Sequence, residues 1–456
     1  MFTIKELLNG YKKKEFSPVE ITKQYVERAN KHKDLNAFVT ITEDVALEQA
    51  KIAEQKWQMN DAGRLEGIPL SYKDNIYTKN VRTTSASKVD ENFVPNEHAD
   101  IIKRLNNDGA VMVGKNNMHE FAFGITSNNP FYGAVKNPWN TELIPGGSSG
   151  GSAVSVATYS SVGSIGTDTG GSIRIPAAMC GLVGLKPTQD LLPKKGFTNI
   201  SWSLDHSGPI SRNIDDLSIL MNVLTDGNVQ LYDNIADDLR GVKIGVPNNF
   251  FTEQIEEPLR KSFNETLEQL EKLGAHLIEV EVPNASDAIP LTFTLAISEG
   301  GYTHRDRKQT SLDHYGEDVH HVMTSSDGIP ALDYIHALQQ QIVIGQKVDE
   351  LFDHIDVLAT PTLPALPKPI GQEEVHFGDI TEPIFDCMIR YTSFFNLTGH
   401  PAISIPTEVV NELPVGIQLA SAKWQDSKLM SISKTIENNL LTDFYKVRDD
   451  KMKQYE

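Results

Sequence analysis

The sequence predicts an α/β fold with a large central mixed β-sheet covered by helices on both faces. Three observations predict it. Short apolar runs such as Ala110-Val111-Met112-Val113 and Val242-Lys243-Ile244-Gly245-Val246 recur along the chain. Amphipathic stretches at helical spacing lie between them. Turn residues separate the two, as at Asp108-Gly109 and Gly274. Strands alternating with helices are the pattern of a parallel or mixed sheet buried on both sides.

The elements follow in order. Residues 1–60 form a helical segment. Ser17-Pro18-Val19-Glu20 is a capping box with proline at the first helical position, and Ile21, Tyr25, Val26 and Ala29 follow at near-helical spacing. Gly67 to Tyr72 reads as a short buried strand, with Lys73-Asp74-Asn75 leaving its end. A helix from Ala99 to Asn107 leads through Asp108-Gly109 into the strand at Ala110–Val113. A helix over Ser152–Tyr159 and a strand over Val162–Thr167 are expected next.

In the second half, Val242–Pro247 reads as a strand. Leu259, Phe263, Leu267, Leu270 and Leu273 mark an amphipathic helix that Gly274 ends. Ala275–Val282, Asp356–Pro361 and Ala402–Pro406 are further strands. Residues 305–328 are polar and rich in His, Asp and Ser, and predict a polar excursion or lid within residues 290–345. Pro361–Pro369 reads as a rigid loop. The whole chain, 1–456, is read as one domain.

Bulk properties exclude several functions. A net charge of −19 opposes an electrostatic grip on nucleic acid or on an anionic membrane. Two isolated cysteines, Cys180 and Cys387, give neither a zinc knuckle nor a disulfide framework, and a reducing cytoplasm is the expected home. No signal peptide and no apolar window long enough for a membrane span is read. The adjacent pair His320-His321 lacks helical metal-ligand spacing, so no metal or other cofactor is expected.

The stretch from Gly146 to Ser172 holds eight glycines and eight serines in 27 residues, with Asp168 its only charge. Two Gly-rich devices, Gly146–Gly151 and Thr169–Ser172, flank the expected helix and strand, which lets them meet at one sheet edge. Glycine lets backbone N–H groups approach a ligand closely. A phosphate cradle of the P-loop kind needs a lysine, and no Lys or Arg occurs in the stretch. A transient oxyanion suits an uncharged N–H nest, and Ser172 is placed to be the nucleophile. A serine needs a base. Neither His98 nor His119 has triad context, whereas Lys73, after an apolar strand, can lose its charge on burial.

These residues carry a resemblance. Gly67-Ile68-Pro69-Leu70-Ser71-Tyr72-Lys73-Asp74, Ile144 to Ser152, Gly166 to Ala177 and Gly181 to Thr188 resemble the motifs of the amidase signature family of serine hydrolases. The spacings agree, with 75 residues from Lys73 to Ser148 and 24 from Ser148 to Ser172. The resemblance implies the amidase signature fold, Ser172 as nucleophile, Ser148 as a serine preceded by a cis peptide bond, and Lys73 as base. It makes Ser149 the substitute for Ser148 if the register shifts by one. It implies an acyl-enzyme on Ser172, with an oxyanion hole from the backbone N–H groups of Thr169, Gly170, Gly171 and Ser172. Met118, Phe123, Gly124 and Ser149 are the expected pocket residues.

Plainer roles are assigned elsewhere. Asp168 and Arg174 are read as an ion pair fixing the loop, Cys180 as a small core residue, and His119 as a loop or pocket-wall residue. One branch of the family is the glutaminase (A) subunit of glutamyl-tRNA(Gln)/aspartyl-tRNA(Asn) amidotransferases, whose glutamine pocket uses an Arg and an Asp. Here Ile389 falls at the Asp position, and the segment Glu317–Met323 has no Arg. A pocket built for charged groups loses much affinity without its partners. The expectation is therefore a stand-alone amidase for a small or less polar amide, as monomer or homodimer. The alternatives are the amidotransferase component and a non-catalytic binding protein of the same fold.

Overall fold

A computed structural model describes residues 2–456. The chain begins with α1 (Ile4–Lys13) and α2 (Pro18–Lys31), then β1 (Phe38–Ile41) and α3 (Glu43–Met59). Ser17 and Glu20 close the expected capping box, and Ile21, Tyr25, Val26 and Ala29 are buried. β2 (Pro69–Lys73), α4 (Asp100–Asn107) and β3 (Val111–Asn116) follow. Then come α5 (Gly150–Ala157), β4 (Gly163–Asp168), α6 (Arg174–Met179), β5 (Val183–Lys186), β6 (His206–Ser211) and α7 (Ile214–Leu224).

The second half supplies β7 (Lys243–Pro247), α8 (Glu257–Lys272) and β8 (His276–Val280). Four helices come next: α9 (Ala288–Thr303), α10 (Arg305–Ser311), α11 (Glu317–Ser325) and α12 (Ala331–Leu351). The chain continues through β9 (Val357–Pro361), a small hairpin of β10 (Glu374–Phe377) and β11 (Ile380–Pro383), α13 (Ile384–Ile389) and α14 (Ser393–Thr398). It ends with β12 (Ala402–Val410), β13 (Leu413–Ala420), α15 (Asp426–Leu440) and α16 (Thr442–Met452).

Eleven strands form one sheet in the order β1-β3-β2-β4-β6-β5-β12-β13-β9-β7-β8. The pairs β2–β3, β2–β4, β7–β8 and β7–β9 are parallel and the others antiparallel, so the sheet is mixed, as expected. Every residue of β2, β3, β4, β5, β6 and β9 is buried. Successive strand residues face opposite sides, so both faces of the central sheet are covered.

The sequence reading missed β1, which interrupts the segment 1–60 read as helical, and also β5, β6, β10, β11 and β13. β6 begins at a buried histidine, and β5 ends on a buried lysine. The polar region expected to form an excursion or lid is helical. It is the helical run α9–α12, with Val319 and Met323 of α11 buried against Phe121 and Tyr315. The expected strand near Gly67 starts later and includes Lys73, which fixes that residue at the C-terminal end of a central strand.

Candidate active site

β2 and β4 run parallel side by side, with Tyr72 opposite Ile165. Their C-terminal ends therefore carry Lys73 and Asp168 to the same edge, where ligands of α/β sheets bind. Lys73 is fully buried. Its Nζ lies 2.7 Å from Ser148 Oγ, 2.8 Å from Thr167 Oγ1 and 3.3 Å from Thr167 O. All three partners are uncharged. Burial pulls the amine down to about 7, against the opposing pull of Asp168 and Asp205.

Ser148 is also fully buried, and the Gly147–Ser148 peptide bond is cis. Its carbonyl accepts from His119 N–H. The next residue binds this loop to the second Gly-rich loop: Ser149 N–H donates to Ser172 O at 3.2 Å, and Ser149 Oγ donates to Thr167 O at 3.1 Å. Lys73 and Ser148 are thus in side-chain contact, and Ser172 is held beside them through the main chain. Ser172 is 6% exposed and opens onto a cavity.

The glycines permit close packing. A Cβ on Gly151 would stand 2.3 Å from Asn117 O and 2.4 Å from Ala37 O. Gly171 has φ +132°, a conformation that side chains rarely adopt, and a Cβ there would stand 2.1 Å from Thr392 Oγ1. The serines of the intervening stretch satisfy one another. Ser155 Oγ lies 3.0 Å from Ser71 Oγ and 3.1 Å from Ser161 Oγ, and Ser164 Oγ donates to Ser71 O.

The loop Thr169–Ser172 is braced from below. Asp168 and Arg174 form a fully buried ion pair at 2.9 Å. Arg174 also donates to Thr392 O, Gln418 Oε1 and Asn396 Oδ1. The guanidinium holds the Asp168 carboxyl well below the usual carboxylate range, against the opposing effect of burial. Asp168 accepts from the N–H groups of Gly171 (2.8 Å) and Ile173 (3.1 Å). Thr169 is tied separately, its hydroxyl donating to Asp205 Oδ1 at 2.7 Å.

The cavity above Ser172 has a volume of about 1290 Å³. Thr169, Gly170 and Ser172 form part of its wall, with Phe123, Gly124, Ile125, Ile200 and Ile389 around them. α9, α11, α13 and the segment 370–373 form the outer walls. Among the described residues no helix is long and apolar enough to cross a membrane.

Comparison with known proteins shows the family. The family model described as Amidase matches residues 20–430. The chain belongs to the amidase family. It is 35% identical to the glutamyl-tRNA(Gln) amidotransferase A subunit of Ruthia magnifica subsp. Calyptogena magnifica, over 97% of this chain and 98% of that protein. It is 33% identical to the protein of the same name from Thermoanaerobacter pseudethanolicus, over 95% and 96%. A crystal structure of an amidase superposes with a TM-score of 0.91 at 30% identity, covering 96% of this chain and all of that one. The glutamyl-tRNA(Gln) amidotransferase A subunit of Thermotoga maritima gives 0.80, also at 30%, covering 96% and 95%.

Several sequence expectations change at the level of individual residues in this family member. Phe123 and Gly124 line the cavity, but Met118 does not. Met118 is fully buried behind the wall with Ala122 and Ile200, because its apolar chain completes a small core cluster. Ser149 likewise faces away, its hydroxyl spent on Thr167 O. The Gly171 N–H donates to Asp168, which removes it from the expected oxyanion donors and leaves Thr169, Gly170 and Ser172. Cys180 is a buried free thiol packed in the core. His119 lines the cavity, and its Nε2 lies 2.6 Å from Asp318 Oδ2 on α11.

Thr167, Asp205, Thr392, Asn396 and Gln418 were not foreseen. The last three lie more than 200 residues from Arg174, so no local pattern points to them. Thr167 carries a signal only in retrospect: it stands one residue before the strand end whose neighbour holds Lys73.

Proposed function

We propose that the protein hydrolyses the C–N bond of a small amide through an acyl-enzyme on Ser172, acting without partner subunits. One observation carries the reading. A buried lysine amine touches only uncharged groups, one of them Ser148, beside a serine that opens onto the cavity.

The chemistry follows from the proton inventory. A neutral amine has two N–H donors and one lone pair. Thr167 O can only accept, so it takes one N–H. The lone pair then accepts from Ser148 O–H, while the second N–H serves Thr167 Oγ1. As Ser172 Oγ attacks the amide carbon, its proton passes to Ser148 and the Ser148 proton passes to Lys73. The carbonyl oxygen gains negative charge and is met by N–H groups of Thr169, Gly170 and Ser172. The C–N bond breaks as the relay returns the proton to the leaving nitrogen. Water, deprotonated by the same relay, releases the acid and restores Ser172.

The cavity chemistry supports a stand-alone enzyme. Ile389 packs at Gly170, and no Lys or Arg lines the cavity among the described residues. A free α-amino acid would find no lysine or arginine for its carboxylate there. The higher TM-score to the amidase than to the Thermotoga maritima protein, at equal identity, points the same way. An amidotransferase component is the second reading. The curated relatives at 33–35% identity over almost their whole length bear that name, and this observation favours it.

One experiment tests both. The purified chain is screened against a panel of small amides for ammonia release, with Ser172→Ala as control. Release by the wild type alone, lost in the variant, is the expected result. A glutaminase that acts only with partner subunits and tRNA would instead establish the second reading. Failure of a fluorophosphonate to label Ser172 would count against catalysis altogether.

A further inference from the structure

Two buried carboxylates near the Thr169–Ser172 loop have only uncharged hydrogen-bond partners. The first is Asp205, which stands just before β6. β4 and β6 are antiparallel, with Asp168 opposite His206. One residue further along that register, Thr169 falls opposite Asp205. The Thr169 hydroxyl donates to Asp205 Oδ1 at 2.7 Å. The other oxygen, Oδ2, accepts from the Ile200 N–H at 3.0 Å and the Ser201 N–H at 3.2 Å. One side chain thereby joins Thr169 to Ile200, and both residues line the cavity.

The second carboxylate is Glu299 on α9, fully buried. It accepts from Ser201 Oγ (2.6 Å), Ser203 Oγ (2.9 Å) and Ser203 N–H (3.1 Å), and from Tyr334 Oη of α12 (3.1 Å). Between the two carboxylates the chain is folded into a turn, with the Leu204 and Asp205 N–H groups donating to Ser201 O. The segment 200–205 is therefore tied to Thr169 on one side and to α9 and α12 on the other.

Burying a carboxylate without a counter-charge is costly. Asp168, one residue before Thr169, has the Arg174 guanidinium against it. Asp205 has three neutral donors instead. Burial lifts its carboxyl to about 6, with the Thr169 hydroxyl and the Ser201 N–H opposing the rise. A hydrogen bond to an ionised acceptor is about twice as strong as one between neutral groups, so the Thr169 side chain is gripped firmly. The main-chain N–H of that same residue is one of the three donors proposed above for the oxyanion.

We infer that Asp205 is a positioning residue: it acts through Thr169, holding the main chain where its N–H meets the oxyanion, while Glu299 anchors the segment 200–205 to the outer helices. This rests on Ser172 being the reacting residue, as proposed above.

A fluorophosphonate tests it without knowledge of the natural amide, because its phosphoryl oxygen takes the place of the oxyanion. Inactivation is followed by intact mass over a range of probe concentrations, which separates probe binding from reaction. Thr169→Val keeps the shape and the N–H but removes the hydroxyl. It should lower the limiting inactivation rate about tenfold and leave probe binding within about twofold of wild type. Thr169→Ser restores the hydroxyl and should recover most of that loss. Asp205→Asn turns an amide NH2 toward one set of donors and should slow inactivation at least as much as Thr169→Val. Combining the two should add less than about twofold to the slower single variant, since both cut one contact.

Thr169→Val reacting at the wild-type rate would overturn the inference. So would Thr169→Ser as slow as Thr169→Val, or losses that multiply in the double variant. If wild type takes no label, the hydrolase reading fails and hydrogen exchange judges the brace. Faster exchange of residues 169–173 in Thr169→Val than in wild type and Thr169→Ser then supports it, and unchanged exchange overturns it.

Discussion

The floor and the outer walls of the cavity are built on opposite principles. The floor comes from β2, β4 and the two Gly-rich loops, and its working groups are hydroxyls, an amine and main-chain N–H groups. Lys73 and Ser148 are fully buried there, and the charges that brace it, Asp168 and Arg174, lie beneath it and are paired. The outer walls come from α9, α11, α13 and the segment 370–373, and they carry exposed carboxylates and histidines. A proton relay needs a low-dielectric setting and fixed partners, because burial is what makes the amine a base. Discrimination between ligands needs charge near water, where it can be exchanged. Changes in the floor should therefore alter turnover of every substrate, and changes in the outer walls should alter choice among substrates.

The largest expected effect is at Ser172. Ser172→Ala should lower kcat by at least roughly 10⁴-fold for any amide. Ammonia release measures it, and residual turnover near wild type would remove the floor from the chemistry.

Two buried lysines on neighbouring strands sharpen the contrast. Lys73 meets only neutral groups, whereas Lys115 Nζ lies 3.5 Å from buried Asp74. Burial lowers both, Lys73 to about 7 and Lys115 to about 8. Lys73→Met strands no carboxylate, so it should keep or raise thermal stability while lowering activity roughly 10²–10⁴-fold. Lys115→Met strands Asp74 and should cost about 3 kcal/mol of stability. Thermal and denaturant unfolding read both, and equal destabilisation by the two would break the distinction.

Beneath the floor, Asp168→Ala leaves the buried Arg174 without its carboxylate. A loss of about 3–5 kcal/mol is expected in denaturant unfolding. The Gly171 and Ile173 N–H groups also lose their acceptor, so labelling of Ser172 by a fluorophosphonate should slow.

The pH profile is the next test. Lys73 must be neutral to accept a proton, and its folded value is about 7 against an ordinary 10.5. As pH falls through about 7 the amine protonates, and kcat/KM should drop about tenfold per unit. Between the two values the unfolded chain holds the proton and the folded one does not, so Lys73 makes stability rise with pH over that window. A kcat/KM flat from pH 8 to pH 4 would rule out the lysine base.

The smallest effect belongs to the cavity wall. A Cβ on Gly124 would stand 2.2–2.5 Å from the His119 ring. Gly124→Ala must shift that ring and its contact with Asp318 on α11. KM should rise severalfold while kcat stays within about twofold, measured by steady-state kinetics. An equal fall in kcat would mean that wall and floor are mechanically one unit.

The sequence by itself determined the α/β class, the capped helix at Ser17 and the strand–helix alternation, because periodicity and caps are local signals, and its motifs carried the family resemblance that singles out Lys73, Ser148 and Ser172. It also yielded the Asp168–Arg174 pair, six residues apart. Tertiary structure alone decided that Met118 and Ser149 turn away from the cavity, that the Gly171 N–H is already engaged, and that the polar stretch before residue 345 is helical wall. It alone brought Thr392, Asn396 and Gln418 under the Thr169–Ser172 loop. The physical reason is range. A helix or a turn is fixed by neighbours in the chain, whereas the direction of a side chain and the partner of a buried charge are fixed by whatever the sheet order places against them.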